Sequence, residues 1–231
     1  MLPTSDKLRL AIASGIRQIG EIAIESNASN ARFKLCHHED LERSSQADGG
    51  GLTVHNGPAA ARELGSHAAD GSYRFLKAQT NLRRGWVMVL ESAADLRLAL
   101  DQFYPACVGL WLAQQDGTLE IEHLRDKLSR QSGMYRRAKA LSDAALQALV
   151  SSTCSPAMPC ARRILWQLDA HTPLRPGAAS QCRGIAAGIP ESAAIPLLCR
   201  EPCNHFVAEG LAAAKAGHTP AGAESKSGNQ R

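Results

Sequence analysis

Ile19-Gly20-Glu21-Ile22-Ala23-Ile24-Glu25, followed further on by Arg32-Phe33-Lys34-Leu35-Cys36-His37, is the stretch that decides the fold class. Both segments alternate with a period of two. Ile22 and Ile24 fall on one face with Glu21, Ala23 and Glu25 on the other, and Phe33 with Leu35 opposes Arg32 with Lys34, as half-buried strands require. Asn27 to Asn30 reads as the turn between them, so a hairpin is expected. Ser44, Ser45 and Gly49 to Gly51 then form a loop. Pro58 opens a helix reaching about Ala68, which Gly71 closes. A second hairpin is read from 73–76 and 86–90, joined by a loop with Arg83, Arg84 and Gly85. Ser92 with Asp95 has the form of a capping box, ahead of Leu96, Ala99, Leu100 and Phe103 at helical spacing. Strand, strand, helix thus occurs twice. An α+β domain over 15–103, behind an N-terminal extension 1–14 and built by ββα duplication, is the expected architecture.

The second half reads as a mainly helical domain over 104–210. Ile121, Leu124 and Leu128 share one helix face, Gly133 breaks that helix, and another helix covers about 142–152 before Pro156 and Pro159. Residues 162–168 suit a further short helix, 170–196 is rich in Pro, Gly and Ala and reads as loop, and 204–214 is helical with Asn204 available as a cap. The segment 211–231 is expected to be a disordered tail, since nothing from Gly217 onward can form a core.

Composition narrows the function classes. The 231 residues suffice for one large domain or two small ones. Hydrophobic residues at 44% and charged residues at 21% are globular averages, and no apolar run approaches the roughly 18 residues that span a bilayer. Charges near the N-terminus stand where an export signal needs an apolar core, which points to the cytoplasm. Twenty-six Lys and Arg against 22 Asp and Glu give a net charge of +4, too mild to imply nucleic acid by itself.

Seven cysteines are the unusual feature, because an odd number without an export signal argues for metal or redox chemistry instead of disulfides. Four stand in two close pairs, Cys154-Ser155-Pro156-Ala157-Met158-Pro159-Cys160 and Cys199-Arg200-Glu201-Pro202-Cys203. Thiolates hold both structural zinc and iron-sulfur clusters. Zinc pairs favour two to four intervening residues, so the wider first pair suits a larger cubane, a 4Fe-4S cluster. Pro156, Pro159 and Pro202 stiffen the ligand loops, reducing the entropy lost on binding. Cys36 and Cys182 have no nearby partner and read as incidental thiols. Cys107 packs in a helix or lies over the cluster.

A basic stretch runs from Arg125 to Lys139, six Lys or Arg with Asp126 as the one acid in 123–139. Arg130, Tyr135 and Arg136 are its candidate cofactor-binding residues, since guanidinium forks suit a tetrapyrrole carboxylate, another anion or a negatively charged cluster. The plainer alternative is a solvated helix face. His37, His38, Glu39 and Asp40 form a third group; adjacent histidines on a strand point to opposite sides, so a polar turn is expected there in place of a metal site. The chain has no Gly-rich phosphate loop, nucleophile elbow or zinc-protease motif.

Tyr73-Arg74-Phe75-Leu76-Lys77, Asn81-Leu82-Arg83-Arg84-Gly85-Trp86, Phe103-Tyr104-Pro105-Ala106, Arg130-Gln131-Ser132-Gly133-Met134-Tyr135, Ile164-Leu165-Trp166 and the two cysteine pairs resemble, over about 15–210, a bacterial family. In it a CbiX-type sirohydrochlorin cobaltochelatase module is followed by a stabilising domain and a 4Fe-4S domain. The resemblance implies that Cys154, Cys160, Cys199 and Cys203 hold the cluster. Ser132 stands where the family pattern has threonine, and no chelatase module precedes residue 15, so chelatase activity is not expected of this chain. The resulting reading is a 4Fe-4S protein that transfers electrons to, senses redox state for, or stabilises a chelatase-like or redox partner in tetrapyrrole or cobalamin-type metabolism, with a tetrapyrrole as a further ligand. A structural zinc module whose basic helix contacts nucleic acid is the alternative.

Overall fold

The computed structural model describes residues 2–27, 32–46, 49–130, 140–154, 160–172 and 189–217. A six-stranded mixed sheet organises the first layer, in the order β4-β5-β3-β2-β1-β7. Its strands are β1 (Gln18–Ile19), β2 (Ile22–Asn27), β3 (Arg32–His37), β4 (Thr53–Asn56), β5 (Trp86–Leu90) and β7 (Ala194–Ile195). The expected first hairpin forms, with Ile22 opposite His37 and Ser26 opposite Phe33. Four helices, α1 (Thr4–Ala13), α3 (Ala61–Leu64), α4 (Ala93–Phe103) and α5 (Cys107–Gln115), join one core with Ile22, Ile24, Phe33, Leu35, Trp86, Met88 and Leu90. The period-two alternation is therefore obeyed. The opposite face is covered as well, because Ala23, Cys36 and Val87 pack beneath Leu52 and Leu41 of the short α2 (Leu41–Ser44). The Ser92 side chain caps α4 by accepting the Asp95 N–H.

Several sequence expectations give way to longer-range pairing. The second hairpin does not form, for residues 73–76 make only an isolated bridge, Tyr73 to His67. In its place β5 pairs antiparallel with β3 and parallel with β4. A parallel pair is not a repeat of the first unit, so no ββα duplication is seen. The helix expected over 58–68 shrinks to a 3-10 turn, Pro58–Ala60, and the single turn of α3. Leu8 and Ile12 of α1 and Val108 and Trp111 of α5 are core residues of this layer, which extends it beyond the expected 15–103 at both ends.

The second layer contains α6 (Leu124–Arg130), α7 (Asp143–Thr153), α8 (Asn204–Gly217) and the parallel pair β6 (Arg163–Ile164) with β8 (Leu198–Cys199). Leu124, Leu128, Leu146, Leu149, Val150, Trp166, Leu168, Phe206 and Val207 form its core. Ile121 is exposed, leaving the α6 face to Leu124 and Leu128. Residues 163–164 are strand and not helix, their backbone groups being taken by 197–199: Arg163 N donates to Leu197 O at 2.8 Å and Leu165 N to Cys199 O at 2.9 Å. Helix α8 continues past 211, where the tail was expected to begin, and residues 218–231 lie outside the described part, as do 28–30 of the expected turn.

The two layers interlock. Strand β7 leaves the expected loop 170–196 to extend the first sheet beside β1, Gln18 facing Ala194, and Ile195 and Leu197 are buried in the first core. Cys199 follows at once. Tight turns hold this edge: β1 and β2 are joined through Gly20, at φ +51°, where an added Cβ would lie 2.6 Å from the Tyr104 ring. Gly20→Ala combines left-handed strain with a clash against a buried ring, and a loss of about 2–4 kcal/mol is expected, read as a fall in the urea midpoint.

The same turn carries a buried polar knot. Glu21 is buried; its Oε2 accepts from Leu82 N at 2.9 Å and lies 3.8 Å from Arg74 Nη2, while Oε1 is 3.5 Å from His37 Nε2. The Glu21 N–H donates to the Tyr104 hydroxyl at 2.9 Å. Arg74, also buried, donates to Asn81 Oδ1 at 2.9 Å and to the carbonyls of Lys77 and Gln79 at 2.9 and 2.5 Å. One carboxylate and one guanidinium thereby fix the loop 74–82.

Candidate metal centre

Four thiols come together where the layers meet. Cys154 ends α7, its N–H donating to Val150 O at 2.9 Å. Cys160 bridges to Gln79, and Ala161 N donates to Ala78 O at 2.7 Å, so the loop fixed by Arg74 holds this cysteine. Cys199 lies on β8. Cys203 immediately precedes α8; its Sγ accepts the Phe206 N–H at 3.5 Å and its carbonyl the Val207 N–H at 3.1 Å. A helix end, a docked loop, a strand and a helix start thus each present one sulfur. All four residues are half-buried.

The thiols share one electrostatic environment. Burial pushes the Cys154 thiol up to about 12, and Cys199, Cys203 and Cys160 add to the rise. Burial likewise lifts Cys199 to about 11, against the Arg162 guanidinium, which pulls it down. Without a metal Cys154 and Cys199 are thiols, and ligation must release their protons. Lys127 of α6 donates to Glu201 at 3.0 Å, and this contact holds the carboxyl of Glu201, between the two C-terminal cysteines, below its usual range.

The donor set fits an iron-sulfur cubane. Among the described residues, the only metal-type group with all its ligand atoms within 4.8 Å of one another is His37, His38 and Glu39. No three of the four sulfurs are therefore that close, whereas zinc with Zn–S of about 2.3 Å needs sulfurs about 3.8 Å apart. A second observation concerns Trp166, whose buried indole Nε1 has no hydrogen-bond partner beside this thiol group. The site offers sulfur ligands and an unspent donor, which a sulfur-rich group would use.

The remaining candidates are dispersed. Arg130, at the exposed end of α6, is held by Glu122 at 2.6 Å. Arg125 pairs with Asp143 and Asp169. Acids distant in sequence thus neutralise the described part of the basic stretch. Tyr135 and Arg136 lie outside the described residues, as does Cys182. Cys107 is in the first core, raised to about 12 by burial, and Cys36 lies beneath Ser44. The rings of His37 and His38 do not point apart but stack, centroids 4.7 Å apart, because the strand ends at His37 and a 3-10 turn begins. His37 Nδ1 accepts from Glu39 N at 3.1 Å and Glu39 pairs with Arg84, so that ring nitrogen and the Glu39 carboxylate are already committed. Sequence reading did not single out Arg162, Gln79 or Trp166, although the resemblance ran through Ile164-Leu165-Trp166.

Fold and site define a two-domain protein in which an α+β layer supports a cysteine-bearing, mainly helical one. Residues 6–115 match the family model of the DR2241 stabilising domain, and residues 116–211 match that of the 4Fe-4S iron-sulfur cluster binding domain. The two matches follow one another along the chain, and its cofactor is a 4Fe-4S cluster. A crystal structure of DR2241 from Deinococcus radiodurans, described as a multi-domain protein with structural similarity to chelatases and two additional novel domains, is similar over 92% of this chain, with 25% identity and a TM-score of 0.70. The match covers 41% of that protein's chain. No curated protein matches. Among the described residues no helix is long and apolar enough to cross a membrane.

Proposed function

We propose that this chain is a cytoplasmic redox accessory module that exchanges electrons with a chelatase-like partner in tetrapyrrole or cobalamin-type metabolism. The observation that carries the reading is the half-buried placement of all four thiols between two interlocked layers, sheltered yet near a partner's reach. When bound, the cluster would supply one-electron chemistry. The chain's own residues set its surroundings. Phe206 donates its N–H to Cys203, Arg162 lies close to Cys199, and Lys127 offsets Glu201, so charge near the sulfurs is balanced. The chelatase-like partner is suggested by the similarity of the chain to part of DR2241, and the side chains assigned to it, or to a tetrapyrrole carboxylate, are Arg136 and Arg137.

Protein purified anaerobically is expected to be brown, to contain iron and sulfide at about four of each per chain, and to bleach on reduction. Zinc without sulfide would overturn the cluster. Charge reversal at Arg136 and Arg137 should weaken capture of a tetrapyrrole-pathway protein, most at low salt, and leave the visible spectrum unchanged. Wild-type protein that captures no such partner and binds no porphyrinoid would overturn the assignment to tetrapyrrole chemistry.

A further inference from the structure

We propose that the indole Nε1–H of Trp166 is the hydrogen-bond donor to Cys199 Sγ when that sulfur is a cluster ligand, and that it thereby raises the reduction potential of the centre. The inference rests on the reading of the four cysteines as cluster ligands and adds the residue that tunes them.

Trp166 is 2% exposed, and its Nε1 is buried with no partner. A buried donor left in this state is costly and rare enough to require an explanation. The explanation lies in what surrounds it. Trp166 belongs to the core against which Cys154, Cys199 and Cys203 pack. Ile164 stands opposite Cys199 in the β6–β8 pair, and the Leu165 N–H donates to the Cys199 carbonyl at 2.9 Å, so the backbone places Trp166 just beyond that cysteine. Its ring is locked edge-on against Phe206, centroids 5.1 Å apart at 62°.

The chemistry of the sulfur completes the argument. As a thiol, Cys199 is itself a donor, its Sγ giving a hydrogen bond to the Glu201 carbonyl at 3.2 Å. Ligation removes that proton and turns the sulfur into an acceptor, and the unspent indole N–H is placed to answer it. Cys203 is served separately by the Phe206 N–H. Donors to ligand sulfur favour the reduced, more negative cluster.

The test uses the full chain, reconstituted anaerobically. Trp166→Phe keeps an aromatic ring, though a smaller one, and removes the donor. It is expected to bind as much iron and sulfide as the wild type and to show a lower potential: about a tenfold smaller reduced-to-oxidised ratio at a fixed applied potential, or 59 mV for one electron. A fully loaded variant with an unchanged potential overturns the inference. Should the variant fail to hold a cluster, wild-type protein labelled with indole 15N decides, because pulsed EPR of its reduced cluster should show coupling to an indole nitrogen, and no coupling overturns the proposal. Trp86 does not compete, its Nε1 being bonded to Arg83 O at 2.6 Å. A wild type without iron and sulfide overturns the cluster reading itself.

Discussion

Replacing any one of Cys154, Cys160, Cys199 or Cys203 by serine is expected to remove most of the iron and sulfide, while Cys36→Ser and Cys107→Ser retain them. A hydroxyl is a harder and far less acidic ligand than a thiol, so a single substitution breaks a four-ligand set. The consequence should reach beyond the cluster, because ligand binding free energy is also folding free energy for the segments that carry the ligands. Cys160 is tied through Gln79 and Ala78 to the first layer, and β7, which completes the first sheet, lies just before Cys199. Loss of the cluster should therefore quicken amide exchange at Ala161, Leu165 and Phe206 and, through the shared segments, at Arg17 and Leu82. Hydrogen exchange measured with and without iron checks this. Exchange confined to the second layer would show that the interlocking carries no free energy, and a serine variant at one of the four that keeps its full iron would exclude that residue as a ligand.

What could be read from the sequence, and what could not, follows the range of the interactions. The hairpin of β2 and β3 was legible because both strands alternate and a short turn connects them. The helix after Ser92 was legible because its cap and its apolar face lie within a few residues. Strand β4 gave no such signal: Thr53, Val54, His55 and Asn56 form a sheet edge with Val54 56% exposed, so no burial pattern is imposed on them. Residues 73–76 look like a strand by their aromatic content, yet Arg74 is the buried anchor and Tyr73 and Phe75 are exposed. The run Arg162 to Trp166 is apolar enough for helix or strand, and only its pairing with Leu198 and Cys199 decides.

The same distinction governs the site. Soft ligands in two short pairs announced a metal centre locally. The residues that support it did not, since Gln79 reaches Cys160 across the domain junction and the missing partner of Trp166 Nε1 is a property of packing alone. The basic stretch shows the converse, because Glu122, Asp143, Asp169 and Glu201 supply from outside the window the negative charge that the window lacks.

Glu21→Ala is expected to cost about 3–5 kcal/mol, although alternation placed Glu21 on the polar face of a half-buried strand. The face is not solvated at that point. Arg74, His37 and Leu82 close over the carboxylate while the Tyr104 hydroxyl takes the Glu21 N–H, and burial already pulls the Arg74 guanidinium below its usual pKa, with Tyr104 and Glu21 pushing it back up. Removing Glu21 leaves that cation buried without its counter-charge, which is the costly way to break an ion pair, and strips the Leu82 N–H of its acceptor. Glu21→Gln keeps the shape and an acceptor and should cost less. Because Arg74 secures the carbonyls of Lys77 and Gln79, the loop that holds Cys160 should loosen too, and iron should be lost faster to a chelator from the alanine variant than from the glutamine one. Urea unfolding of both variants, with chelator kinetics on the loaded protein, tests the two links separately. A loss under about 1 kcal/mol for the alanine variant would mean that the carbonyls around Arg74 suffice without the carboxylate, whereas full destabilisation with unchanged iron release would mean that the loop is held by its contact with Ala161 alone.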